Sequence, residues 1–93
     1  MYLYHIRFSS AKETFEKIGI TKNSPQERFG SEFYKGYELK ILELIKGEPQ
    51  YIRALEKKLL CHYSEISYLP LKENFSGKTE CFEAFVINIK NPL

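Results

Sequence analysis

The sequence predicts an α+β fold: a three-stranded antiparallel sheet flanked by helices, in the order β-β-α-β-α-α, as one domain spanning residues 1–93. Three observations carry this. Residues 2–8 and 15–21 alternate apolar and polar side chains with the period of two that marks a half-buried strand. Residues 37–45 form a third β-rich run, apolar on both faces. Between 50 and 63 the apolar side chains instead recur at helical spacing.

Taken in order, Tyr2, Tyr4, Ile6 and Phe8 face one way and Leu3, His5 and Arg7 the other. The polar stretch 9–13 turns the chain, and Phe15, Lys17 and Gly19 then alternate with Ile18 and Ile20. So short a connection makes an antiparallel hairpin the natural pairing. Ser24 followed by Pro25 and Glu27 reads as a capped helix start, with Arg28 in the first turns and the helix ending before Gly36. The run 37–45 is expected to be the central, most buried strand. Gly47-Glu48-Pro49 breaks the chain before the strongest helix, whose apolar stripe is Ile52, Leu55, Leu59 and Tyr63. After a loop around 74–78, Phe82, Phe85, Val86 and Ile89 recur at i, i+3, i+4 and i+7, which suggests a last helix, although their side chains would also suit an edge strand.

Composition narrows the possibilities. A chain of 93 residues buries only about two-thirds of its unfolded surface, enough for one sheet and two or three helices. Its 43% hydrophobic and 28% charged residues are those of a globular protein, and seven Tyr with seven Phe imply a core of bulky rings. A net charge of +2 is no nucleic-acid signature, and Arg53, Lys57 and Lys58 read as a solvated helix face. Cys61 and Cys81 lack the spacing of a zinc site, and His5 and His62 read as packing or surface residues. His5 and Arg7 interrupt the early apolar run and no segment reaches the ~20 apolar residues of a membrane span, so a reduced, cytoplasmic protein without membrane attachment is expected.

The candidate chemistry begins with Glu56, an acid set within an apolar stripe between Ile52 and Leu60. Burying a carboxylate costs several kcal/mol unless it is compensated, so this position calls for a Lys or Arg partner or a metal ion. Taken alone, Arg28 reads as a surface helix residue, Lys17 as a solvated strand residue and Tyr4 as a core residue. Gly19 allows close backbone approach.

The tripeptides Tyr2-Leu3-Tyr4 and Lys17-Ile18-Gly19, with Arg28 nine residues after Gly19 and Glu56 on the later helix, resemble the core of the GIY-YIG nuclease family. Lys17 stands where the family name has tyrosine, as in small phage-type members with Lys-Ile-Gly, and Tyr2 replaces the first glycine. The segment 75–82 also resembles the ending of such members, with Glu80 expected to cap the last helix. The resemblance implies a metal-dependent endonuclease acting on nucleic acid, DNA ahead of RNA, with Mg²⁺ or Mn²⁺ on Glu56. It further implies Arg28 on the scissile phosphate, Tyr4 and Lys17 activating water, and Gly19, Lys22, Tyr34 and Asn74 near the substrate. So small a nuclease would be non-specific, structure-directed, or reliant on a homodimer or another protein. Two other readings stay open: a protein of the same fold that binds nucleic acid or a protein without cutting, and an unrelated α+β regulator with Glu56 in a structural ion pair.

Overall fold

The computed structural model describes residues 1–22, 36–71 and 80–89. Its elements are β1 (Tyr2–Ser9), β2 (Thr14–Thr21), β3 (Glu38–Lys46), helix α1 (Pro49–His62), a 3-10 turn (Ser64–Ile66) and β4 (Cys81–Glu83). The class is α+β, as expected, but the sheet has four strands in the order β3-β1-β2-β4, every neighbouring pair antiparallel. The helix expected from Ser24 lies outside the described residues.

The β1–β2 hairpin forms as its alternation predicts, with Tyr4 opposite Gly19, Ile6 opposite Lys17 and Arg7 opposite Glu16. That register sorts side chains onto two faces. Tyr4, Ile6, Phe8, Phe15 and Cys81 form one core cluster, extended by Tyr37, Leu39 and Tyr68. Phe15 stacks on both Phe8 and Tyr68, with ring centroids 5.4 and 5.3 Å apart. On the opposite face, Leu3, Ile18 and Phe82 pack against Ile52 and Leu59 of α1. Each such fully buried aliphatic contributes roughly 2–5 kcal/mol against truncation to alanine.

Helix α1 starts where the Gly47-Glu48-Pro49 break directs. Pro49 occupies a first-turn position that needs no amide donor, and the Ile52 amide donates to the Glu48 carbonyl at 2.9 Å. None of the described helices is long and apolar enough to cross a membrane.

Two expectations are overturned. The run 37–45 is the outer strand β3, not the central one; Ile41 and Leu44 are more than two-fifths exposed, while β1 takes the middle. An apolar run on both faces cannot distinguish a central strand from an edge whose outward residues simply remain exposed. Against β1, β3 is also bulged between the partners of His5 and Ile6, which pair with Glu43 and Ile41 and leave Leu42 as the extra residue.

The second concerns the expected last helix, where the chain forms β4 and then a turn in which Phe85 has φ 69°. Phe82 and Ile89 are buried, but Phe85 is 74% exposed, so the i, i+3, i+4, i+7 pattern does not define a buried stripe. A bulky residue in the left-handed region cannot continue a right-handed helix.

Candidate functional site

The hairpin register builds the centre of the site. Because Tyr4 pairs with Gly19 and Ile6 with Lys17, Tyr4 and Lys17 are diagonal neighbours on one face. The Lys17 ammonium donates to the Tyr4 hydroxyl at 2.6 Å and lies 5.0 Å from the centroid of its ring. Both side chains are 0% exposed, which overturns the solvated-strand reading of Lys17. Gly19 makes this possible: a Cβ there would fall 2.2 Å from the Tyr4 Oη and 2.5 Å from its Cζ. The glycine is a space requirement of the phenol lying across it.

Glu80 closes the same neighbourhood. The pairing of Lys17 with Cys81 brings the preceding residue alongside, and Glu80 Oε2 stands 3.9 Å from Lys17 Nζ, too long for a hydrogen bond but close for opposite charges. Glu80 therefore does not cap a terminal helix, since β4 begins at the next residue. From α1, half-buried Glu56 joins this group: burial pushes its carboxyl above the usual range, the negative charge of Glu80 adds to that, and Lys17 opposes it. Burial also pushes the adjacent Cys81 thiol up to about 12, with Lys17 opposing and Glu80 adding to the rise. That thiol stays protonated at neutral pH and is no nucleophile.

Of the expected site residues, Tyr4 and Lys17 thus meet over Gly19, whereas Glu56 stands on the helix packed against the other face and is linked to them through the charges of Lys17 and Glu80. Lys22 follows β2 and is exposed, while Arg28, Tyr34 and Asn74 lie outside the described residues. Arg53, Lys57 and Lys58 are exposed on α1, as a solvated face requires. His62 is exposed, with its ring edge-to-face with Tyr63 at 4.7 Å.

Glu80 is the site residue that sequence reasoning missed, because its nearness to Lys17 depends on β4 pairing with β2 rather than forming a helix. Among the described residues no three His, Cys, Asp or Glu side chains are grouped to share an ion. Glu56 and Glu80 are nevertheless two carboxylates whose charges act on one another, the donor chemistry a small divalent cation would take. They supply hard oxygen donors, their mutual repulsion would be relieved by it, and Mg²⁺ commonly takes one or two carboxylates with water and substrate phosphate completing its shell.

Comparison of the chain with protein-family models, with curated proteins and with solved structures gives no match.

Proposed function

We propose that this protein is a GIY-YIG-type endonuclease that hydrolyses phosphodiester bonds in nucleic acid, DNA ahead of RNA. The observation that carries this reading is the 2.6 Å Lys17–Tyr4 hydrogen bond set over Gly19, with Glu56 and Glu80 in electrostatic reach. A phenol with a pKa of ~10 is a poor base at neutral pH, and an adjacent ammonium favours its phenolate. Tyr4, as a phenolate held by the Lys17 ammonium, would accept the proton of the attacking water and become the neutral phenol as the hydroxide adds to phosphorus. Arg28 would neutralise the charge growing on the phosphate through its planar fork. Glu56, with Glu80, would hold Mg²⁺ or Mn²⁺, which when bound polarises the phosphate and stabilises the leaving oxygen.

The complete burial of Tyr4 and Lys17 supports a second reading, in which the same fold binds nucleic acid or a protein partner without cutting. Cleavage of supercoiled plasmid, single-stranded DNA and RNA with Mg²⁺ or Mn²⁺ separates the two. Cutting that a chelator stops, and that Glu56→Ala and Arg28→Ala each reduce by roughly 10²-fold or more, supports the nuclease. No cutting, or equal cutting by the variants, supports the binding protein.

A further inference from the structure

On the face opposite Tyr4 and Lys17, β1 and β2 carry a buried polar network that the cleavage chemistry does not use. Glu16, 1% exposed, accepts from His5 Nε2 at 2.6 Å through one oxygen, and from Arg7 Nε at 3.1 Å and the Phe85 amide at 2.8 Å through the other. Burial alone would push the Glu16 carboxyl up, but these donors together hold it below the usual range, so it remains ionised. His5, itself 4% exposed, has its Nε2 committed to Glu16, and no hydrogen bond from Nδ1 occurs among the described residues.

Both His5 and Arg7 line a cleft of about 280 Å³. Its remaining walls are Leu42 and Glu43 of β3 and the stretch Ile87, Asn88 and Ile89. The bulge in β3 falls at Leu42 and so helps shape this wall. Glu16 is not part of the wall, whereas the two basic side chains it orients are.

We propose that this cleft binds a small metabolite through an anionic group, a carboxylate or a phosphate, gripped between Arg7 and the imidazolium form of His5. Arg7 has one guanidinium nitrogen on Glu16 and its plane held 4.2 Å from the Phe85 ring centroid, which leaves its terminal nitrogens to fork onto an anion. An anion at Nδ1 would place the imidazole between two negative groups, Glu16 and the ligand, and so draw a proton onto it. The charged groups around His5 are Glu16 on β2, Arg7 on β1 and Glu43 on β3; Glu43 already has an interaction of its own, and residues 84–89 carry no charge. Leu42, Ile87 and Ile89 offer an apolar wall for the body of the ligand. The volume lies near the lower end of the ~300–1,000 Å³ typical of small-molecule sites, which suits a compact metabolite.

The experiment is an NMR titration of the full chain with acetate and, separately, inorganic phosphate at pH 6 and pH 8, following the His5 ring and the Leu42 and Asn88 amides. Acetate keeps one charge across that range, so any change in its binding reports the protein. Saturable shifts at these positions are expected with at least one probe. Acetate should bind about tenfold more weakly at pH 8, and Arg7→Gln should weaken binding by about tenfold or more. No shift of the three reporters with either probe overturns the proposal, as does undiminished binding by a folded Arg7→Gln protein. Should that variant fail to fold, equal acetate binding by the unmutated chain at the two pH values overturns it as well. None of these readouts depends on cleavage of nucleic acid.

Discussion

Lys17 and Tyr4 are joined Nζ to Oη at 2.6 Å with neither side chain exposed. A hydrogen bond between two side chains that water does not reach fixes the position of each through the other. Tyr4→Phe removes only the hydroxyl and keeps the ring that packs with Ile6 and Phe8. The folded state should persist while cleavage falls by about 10²-fold or more, as expected for loss of a general base. Circular dichroism and plasmid nicking on one preparation test both halves, and undiminished nicking rules out the role.

Gly19 should not tolerate alanine. With a Cβ 2.2 Å from the Tyr4 hydroxyl, Gly19→Ala is expected to cost about 1–3 kcal/mol, the usual range for an overpacked core. Shortening Tyr4 to leucine removes the clashing atoms, so Gly19→Ala should cost less in a Tyr4→Leu background. Urea denaturation of the four proteins measures that coupling.

Glu56 should act against stability. Its folded-state carboxyl titrates above its unfolded value, so the stabilisation from its protonated form is present at low pH and lost as pH rises through the raised value. Glu56→Gln is therefore expected to raise the melting temperature at pH 7 while abolishing cleavage. Added Mg²⁺ should raise the melting temperature of the unmutated protein and leave Glu56→Gln unmoved. A lower melting temperature for the variant would contradict a carboxyl that titrates above its unfolded value.

Glu16 behaves in the opposite sense. Burial raises its carboxyl, but hydrogen bonds from His5, the Phe85 amide and Arg7 outweigh that and lower it. The stability it contributes is present above its unfolded value and lost as pH falls through the folded one. Acid unfolding should thus steepen below about pH 4.5, and Glu16→Gln should flatten that slope at the expense of stability at neutral pH. Denaturant midpoints between pH 3 and pH 7, on the order of half a unit apart, resolve the slope.

The two thiols should separate cleanly under alkylation. Cys61 is exposed, whereas Cys81 is buried with its thiol pushed up to about 12. Iodoacetamide at pH 8 is expected to modify Cys61 alone until denaturant is added, as peptide mass mapping will show.

What the sequence revealed was what strict periodicity encodes. Alternation in 2–8 and 15–21 set the hairpin, and through it the meeting of Tyr4, Lys17 and Gly19. The stripe Ile52, Leu55 and Leu59 set α1. What stayed hidden was what depends on the order of strands in space. Leu39, Ile41 and Leu44 look alike whether their strand is flanked on one side or two. Phe82 and Ile89 are buried in one cluster although no helix joins them. Glu80 reached the site through the pairing of β4, which three residues are too short to announce. The Arg7–Glu16 pair was closer to legible, since the hairpin register sets these opposite charges face to face.

Phe85 holds a backbone conformation that costs a bulky residue on the order of 1–3 kcal/mol, restrained by its amide on Glu16 and its ring against Arg7. One carboxylate thereby fastens both central strands to the turn after β4. Residues 84–89 are then part of the same cooperative unit as the hairpin. In hydrogen exchange the Phe85 amide should open together with amides of β1 and β2, at one shared free energy, despite its position at the surface.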